Sequence, residues 1–323
     1  MKYYPKVTII IPVYNGSNFL AEAIDAALRQ TYKNCEVIVI NDGSTDNGAS
    51  EKIALSYGNK IRYFYKKNGG VSSALNYAFE KMTGEWFSWL SHDDLYYQDK
   101  IEKQIKFINE LLKDNVSLNL SKITVRCATE SIDKNGKVIR LPNYEDIPIC
   151  EKQIDTILNN IYNYRLSGCS FLLPSSCIKD IGKFNENIRT VSDVEYWYRL
   201  LFSGYQFYCL KNYRLVKNRS HGKQVGKTKI RLFNKEREEL FIWIANEIGK
   251  KEEFNTLDNF LKLFYGLKKN HCNKAANYVL KTYIKNKTLK ESYIKILIIS
   301  SYYVMIGKFR NIARYIYRKI NVK

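Results

Sequence analysis

Acidic side chains follow two of the apolar runs near the start of the chain, where they could contact a ligand. Asp42 lies in a turn-rich segment after the second run. Its carboxylate could accept a hydrogen bond from a ligand N–H or close an Asx turn. Asp93 and Asp94 follow the fourth run. Their hard oxygen atoms suit Mg²⁺ or Mn²⁺, although an Asp-Asp pair can also cap a helix.

Two side chains in the second half of the chain could also do chemistry. Asp193 could take the proton of an attacking hydroxyl group, or cap the helix that its neighbours predict. His221 is a competent metal ligand as a neutral imidazole, although lone histidines are more often structural or exposed. Arg219 and Lys223 flank it and could contact phosphate.

Short apolar runs alternate with helical periodicity over the first hundred residues, which predicts a parallel sheet with right-handed crossovers. Ligands bind at the carboxyl ends of the strands in such sheets, so we expect the polar residues there to share one edge. There is no Gly-x-Gly-x-x-Gly and no Walker-type lysine loop, so dinucleotide-binding and NTPase functions lose their main support. The predicted strands are Val7–Ile11, Val37–Ile40, Ile61–Tyr65 and Trp86–Leu90.

The later chain is more mixed and then mainly helical. A helix is predicted over 98–113, and 123–140 predicts a hairpin that turns at 134–136. The predicted helices beyond Lys227 cover 232–248, 253–267, 271–285 and 289–319.

Charge is distributed unevenly along the chain. It has 52 Lys+Arg and 32 Asp+Glu, a net charge of +20, and 22 of the basic but only 8 of the acidic residues lie in 225–323. We therefore predict a domain at 1–224 and a basic helical region at 225–323. Such a region suits an anionic partner: a membrane, a nucleic acid or an acidic substrate.

Seven cysteines without Cys-x-x-Cys spacing favour a reduced, cytosolic compartment. The longest apolar stretch, 296–306, falls short of the roughly 20 residues of a spanning helix. The first apolar run is too short for the core of a signal peptide. These features predict a cytoplasmic protein, either soluble or peripheral on the inner face of the cell membrane.

Several spaced motifs resemble those of the family 2 glycosyltransferases, which have the A-type nucleotide-sugar fold. The resemblance covers residues 6–224 and includes the segments 7–15, 36–46, 68–76 and 84–86 in the family's order. Residues 91–94, 192–197 and 219–224 resemble its Asp-x-Asp-Asp, Glu-Asp-x-Asp-x-Trp and Arg-x-His-x-x-Gln motifs. Ser91 and Ser192 stand where the family usually has an acidic residue.

The resemblance implies a role for each matching residue. Asp193 matches the catalytic base of inverting members, and Asp93 and His221 match residues that bind Mn²⁺ or Mg²⁺. Asp42 matches the residue that contacts the uracil ring, which Tyr14 would stack on or flank. The implied donor-binding residues are Pro12, Tyr14, Asp42, Asn68, Gly70, Ser73, Ser91 and Asp93.

The sequence thus predicts an α/β fold, with a mainly parallel nucleotide-sugar-binding sheet flanked by helices and a helical C-terminal extension. The predicted function is an inverting, metal-dependent hexosyl- or N-acetylhexosaminyl-transferase. It would move a sugar from a nucleotide donor to a glycan or lipid-linked acceptor in bacterial surface-polysaccharide synthesis. The predicted donor is a UDP-sugar. The alternatives are a basic nucleic-acid-binding protein with a degenerate nucleotide fold, a nucleotidyltransferase and a retaining transferase. No nucleic-acid partner is expected under the first prediction.

The last residues predict an amphipathic helix. Phe309, Ile312 and Ile316 share one face, and Arg310 and Arg314 share another. Such a helix can lie in the headgroup plane of an anionic membrane, or its apolar face can pack on its own domain.

Overall fold

The computed structural model describes residues 3–144, 153–163, 166–222, 224, 228–254 and 256–284. Within these residues, nine strands form one sheet that positions the candidate site. The strands are Val7–Val13 (β1), Cys35–Asp42 (β2), Arg62–Lys66 (β3), Trp86–Trp89 (β4), Leu95–Tyr96 (β5), Ile123–Ile132 (β6), Val138–Arg140 (β7), Phe171–Pro174 (β8) and Gln206–Arg219 (β9).

Helices connect and cover these strands. Those before residue 230 are Leu20–Leu28 (α1), Ala49–Leu55 (α2), Val71–Lys81 (α3), Lys100–Asp114 (α4), Gln153–Asn163 (α5), Cys177–Ile181 (α6) and Ser192–Phe202 (α7). The later ones are Ile230–Lys250 (α8), Leu257–Lys269 (α9) and Asn273–Ile284 (α10).

The strand order is β3-β2-β1-β4-β8-β6-β9-β5, and β7 pairs with β6. The first four strands are parallel, as predicted: β1 pairs with β2 and β4, and β2 pairs with β3. The other half is mixed, because β8 runs antiparallel to β4 and β6 while β6 and β9 are parallel. The predicted α/β fold class with C-terminal helices is confirmed.

The β-branched runs form the most deeply buried strands. All seven residues of β1 are buried, as expected for a strand covered on both faces. Ile101, Ile105 and Ile108 recur at helical spacing in α4 and join the same core as β1. Fully burying side chains of this size stabilises a fold by about 1.5–3 kcal/mol each.

The α4 helix starts two residues later than predicted. The short strand β5 precedes it, and Asp99 stands at its N-cap position. The alternative that Asp94 caps this helix is therefore wrong. The predicted hairpin is present: β6 and β7 are antiparallel, and the amide of Gly136 donates to the carbonyl of Asp133 in its turn.

The chain divides into two compact units, residues 1–156 with 166–233, and residues 157–165 with those from 234 onward. In the second unit, Leu240, Ile244 and Ile248 form the buried face of α8. Glu238 accepts a 2.8 Å hydrogen bond from the amide of Ala275 in the first turn of α10. No helix among the described residues is long and apolar enough to cross a membrane. The helices predicted at 289–319 and 308–323 lie outside the described residues.

Candidate active site

Asp93 and His221 form the centre of the candidate site. Oδ2 of Asp93 lies 2.8 Å from Nε2 of His221, and their side chains are only 14% and 15% exposed. Asp93 lies in the loop between β4 and β5, and His221 follows the end of β9. The antiparallel pairing of Leu95 with Lys217 brings these two loops together.

This pair has the chemistry of a partial metal site. The described residues contain no group of three or more His, Cys, Asp or Glu side chains that could hold a metal ion. Mg²⁺ is usually bound by one or two carboxylates together with substrate phosphates and water, and Mn²⁺ accepts similar oxygen ligands. One carboxylate and one imidazole, facing each other in a nearly enclosed position, fit a divalent cation completed by phosphate oxygens.

Asp94 points into the protein beside this pair. Its Oδ1 accepts a 2.8 Å hydrogen bond from the amide of Arg219, and its Oδ2 accepts one from the thiol of Cys169 at 3.2 Å. Burial and, less strongly, the charge of Asp93 raise the pKa of Asp94 to about 8. Asp94 thus joins the β4–β5 loop to the segments that carry Cys169 and His221.

Arg219 does not present its charge to a ligand. Its side chain is 1% exposed, and its guanidinium donates only to protein acceptors. The expectation that Arg219 meets phosphate is therefore wrong, because the group is enclosed. Lys223 lies outside the described residues.

Ser91 and His92 complete this loop. The amide and hydroxyl of Ser91 both lie within 3.4 Å of the Cys169 sulfur, and the residue is half-buried. The ring of His92 packs on Gly16 so closely that a Cβ on this glycine would collide with it. Burial lowers the pKa of His92, so the ring is neutral at pH 7.

Asp42 ends β2 and organises the loop after β3. Oδ1 accepts from Lys66 at 2.8 Å and from the amide of Gly69 at 3.0 Å. Oδ2 accepts from the amide of Gly70 at 2.7 Å and from Asn68 at 3.2 Å. A carboxylate has about four lone-pair sites, so these donors occupy the whole group. In the turn that follows, the amide of Ser44 donates to the side chain of Asn41 rather than to Asp42.

The other predicted donor-binding residues lie on one strand, one loop and one helix. Pro12 is buried in β1, whereas Tyr14 is 46% exposed just beyond it. Asn15 joins this loop to the one after β2, because its Oδ1 accepts a 2.7 Å hydrogen bond from the amide of Thr45. Ser73 lies half-buried in the first turn of α3.

Gly70 has a backbone conformation that favours glycine, and it lies next to the end of the Arg189 side chain. Its φ of +89° is rarely adopted by other residues, and an added Cβ would lie 2.6 Å from the guanidinium of Arg189. Arg189 donates to the carbonyl of Gly69. It precedes α7 by three residues, so it joins the β3–α3 loop to the segment that leads to Asp193.

Asp193 lies in the first turn of α7 and is largely shielded from water. Burial raises its pKa from 3.8 to about 6, although the amides of Val194 and Asp193 itself lower it in part. Glu195 in the same turn is paired with Arg199 at 2.7 Å and is not free to act as a base. Phe184 stacks on Tyr196 with ring centroids 4.1 Å apart, which packs α7 against the preceding loop.

The structure thus groups the predicted residues around two loop clusters. Asp93 and His221 meet in the first, with Ser91 in the same loop, and Asp42, Asn68 and Gly70 meet in the second, where Ser73 lies beside Gly69. Sequence reasoning did not identify Lys66, Cys169 or Arg189 as parts of these clusters. The only signal for Lys66 was its place at the end of a predicted strand beside the Asn68 motif.

Comparison with known proteins defines the class of this protein. A family model described as glycosyl transferase family 2 matches residues 8–163. An uncharacterized glycosyltransferase from Rickettsia typhi is 43% identical over 250 residues, which cover 77% of this chain and 74% of the relative. The chain belongs to the family 2 glycosyltransferases, as its motifs predict.

Longer relatives and solved structures extend this comparison. A glycosyltransferase from Rickettsia felis is 42% identical, and the chain spans only 41% of its length. S. aureus TarS 1–349 in complex with UDP-GlcNAc has a TM-score of 0.65 at 18% identity, over 90% of this chain and 79% of that chain. A mannosyltransferase from Pyrobaculum calidifontis in complex with GDP-Man and Mn²⁺ has a TM-score of 0.54 at 15% identity, over 96% and 83%. At these identities the likeness concerns the fold.

Proposed function

We propose that this protein is an inverting, metal-dependent glycosyltransferase that moves a hexosyl or N-acetylhexosaminyl group from a UDP-sugar. The observation that carries the proposal is the enclosed Asp93–His221 pair at the carboxyl end of β4, in a chain of this family. Nucleotide sugars in the two structural neighbours support a nucleotide-sugar donor, and the Mn²⁺ in one of them supports a divalent cation. Mn²⁺ or Mg²⁺, held by Asp93 and His221, would neutralise charge on the leaving diphosphate.

The donor would lie across the two loop clusters. Tyr14 offers an exposed ring to the base, and Ser91 a hydroxyl to the ribose. Asp42 would accept a hydrogen bond from the uracil N–H after one of its four protein donors moves away. Lys66 and Asn68 can do so by side-chain rotation, whereas the amides of Gly69 and Gly70 are fixed by the backbone.

Asp193 would act as the general base. A carboxyl with a pKa of about 6 is ionised at neutral pH yet basic enough to take a proton from a sugar hydroxyl as it attacks. The hydroxyl oxygen bonds to C1 from the face opposite the diphosphate, its proton goes to Asp193, and the C1–oxygen bond electrons leave with the nucleotide. One displacement of this kind inverts the configuration at C1.

The acceptor would be a glycan or a lipid-linked saccharide, in surface-polysaccharide synthesis at the cytoplasmic face of a bacterial membrane. We propose that residues 1–224 form the catalytic domain and that the basic region 225–323 faces the anionic membrane surface. The excess of positive charge in that region supports this arrangement.

The proposal is tested with a panel of UDP-, GDP- and CMP-sugars, each with Mn²⁺ or with EDTA. We expect one UDP-sugar to raise the thermal unfolding temperature with Mn²⁺ only, and to release UDP with an acceptor extract. The product should have the opposite anomeric configuration to the donor. Full turnover in EDTA, retention of configuration, or preference for another nucleotide would contradict the proposal. Tight binding of nucleic acid at physiological salt, without response to any sugar nucleotide, would favour the basic nucleic-acid-binding alternative.

A further inference from the structure

Arg219 is a buried cation with its donors distributed over three parts of the first unit. Its Nε donates to the carbonyl of Asp93 at 2.9 Å, and its Nη1 donates to the carbonyl of Lys134 at 2.9 Å. Its Nη2 is 2.7 Å from a carboxylate oxygen of Glu22 in the first turn of α1. The guanidinium also lies over the ring of Phe19, at 4.4 Å from the centroid.

Arg219 and its contact residue Phe19 both lie next to the candidate metal pair, Asp93 and His221. The Arg219 side chain holds the main chain of Asp93, and its backbone amide holds Oδ1 of Asp94 at 2.8 Å. His221 follows Arg219 by two residues and packs on the same Phe19, with ring centroids 5.3 Å apart. One residue therefore connects the segment that carries Asp93 to the segment that carries His221.

We propose that Arg219 is a positioning residue that holds the side chains of Asp93 and His221 close enough together to bind one metal ion. Glu22 is its counter-ion. The proposal rests on the metal-dependent function proposed above. A guanidinium is planar and presents five N–H donors in fixed directions, which suits three acceptors from three different elements. A lysine would keep the charge but offers a compact ammonium on a flexible stem. It would leave at least one carbonyl of this arrangement without its donor.

The turn of the β6–β7 hairpin provides one of the three acceptors of the Arg219 guanidinium. The carbonyl of Lys134 in that turn accepts from Nη1 of Arg219, so the hairpin turn helps to hold the guanidinium. Glu22 is 53% exposed, whereas Arg219 is almost fully enclosed. The ion pair therefore runs from the interior to the surface and keeps the buried charge compensated.

The test compares Arg219→Lys with Arg62→Lys. Arg62 also bonds a carboxylate and a carbonyl, those of Glu36 and Lys81, but lies at the start of β3, away from the loops that carry Asp93 and His221. Mn²⁺ affinity is measured by calorimetry with saturating UDP, and folding by circular dichroism. We expect Arg219→Lys to weaken Mn²⁺ binding about 10- to 100-fold, the usual range for residues that orient metal ligands. Arg62→Lys should leave the affinity unchanged.

The outcomes separate this inference from the function on which it rests. Failure of the wild-type protein to bind Mn²⁺ with UDP would overturn the proposed metal dependence and, with it, this role. Normal wild-type binding together with unchanged affinity in folded Arg219→Lys would overturn the positioning role alone. If Arg219→Lys does not fold, Glu22→Gln replaces it, because Glu22 lies largely at the surface. A several-fold loss of affinity then supports the role, and an unchanged affinity overturns it.

Discussion

Replacement of Asp193 by Asn should lower activity and raise stability in the same protein. Asparagine keeps the shape of the side chain but cannot accept the proton of the attacking hydroxyl. We expect turnover to fall by roughly 10²-fold or more, the usual contribution of a general base, with donor affinity almost unchanged. Removal of an ionisable group from a site that disfavours its charge should also stabilise the fold.

The size of the stability gain follows from the pKa of Asp193. Its folded-state value of about 6 lies above the ordinary 3.8, so the folded protein binds this proton more tightly than the unfolded chain does. The ionised carboxylate therefore lowers the free energy of unfolding, and this cost has its full size above pH 6. The cost diminishes as pH falls from 6 toward 3.8. The difference corresponds to about 3 kcal/mol, an upper bound for Asp193→Asn at pH 7.5. Most of this gain should be lost at pH 4.

The pH dependence of turnover tests the same value independently. With a pKa of about 6, the fraction of Asp193 that is ionised falls about tenfold between pH 7 and pH 5. For an ordinary aspartate, that fraction would fall by less than a tenth over the same range. Initial rates of UDP release at saturating donor give this profile. Mn²⁺ binding measured at each pH separates a loss of bound metal from the titration of Asp193.

Asp180→Asn is the matched control for stability. A salt bridge with Lys122 holds the pKa of Asp180 below its ordinary value, so its carboxylate stabilises the fold above the unfolded pKa. That stabilisation is lost as pH falls through the folded pKa, and Asp180→Asn should destabilise the protein without changing turnover. Wild-type turnover in Asp193→Asn, or lower stability of this variant at pH 7.5, would refute the argument for Asp193.

Three further predictions concern the metal, the donor loop and the tail. Asp93→Ala should abolish Mn²⁺-dependent stabilisation by UDP, measured by thermal unfolding, whereas the surface control Asp114→Ala should retain it. UDP-dependent stabilisation that persists in Asp93→Ala would reject the metal role. Gly70→Ala should weaken UDP binding at least tenfold in calorimetry, because a φ of +89° is strained for alanine and the amide of Gly70 holds Asp42. Wild-type affinity would show that the loop adapts freely. Deletion of residues 308–323 should reduce co-sedimentation with anionic liposomes, with neutral liposomes as control, since each nearby cation contributes about 1 kcal/mol. Equal binding by the truncated protein would contradict a membrane-binding role for the tail.

Local sequence patterns predicted the first half of the sheet because its strands are continuous apolar runs. β1 is buried along its whole length, so no polar residue interrupts the pattern. β9 was not predicted, since only part of its length is buried and exposed basic and polar residues occur along it. β5 has two residues and no periodicity to detect. These two strands nevertheless bring the loops of the candidate metal pair together, through a pairing that depends on residues far apart in the chain.

The motifs identified chemically capable residues but not the partners that those residues have. Asp42 is at the predicted strand end, yet four donors from Lys66 and the Asn68–Gly70 loop occupy its carboxylate. Arg219 was expected at phosphate because of its charge and its neighbour His221. Its enclosure depends on Glu22 and Lys134, which no local pattern associates with residue 219.

Asp93 and Asp94 show why an adjacent pair of identical residues is ambiguous in sequence and unambiguous in structure. Asp93 lies in the turn between β4 and β5 and Asp94 directly follows it, and their side chains have different partners, since Oδ2 of Asp93 lies 2.8 Å from Nε2 of His221. Asp94 takes the inner side, where it accepts from the Arg219 amide and the Cys169 thiol. In that position Asp94 faces the protein interior, and its two hydrogen bonds hold the main chain next to Asp93. Asp94→Ala should therefore weaken Mn²⁺ binding although Asp94 touches no metal ligand side chain, and calorimetry with UDP measures the loss. Unchanged affinity in a folded Asp94→Ala variant would mean that the Arg219 side chain alone is enough to hold Asp93 in place.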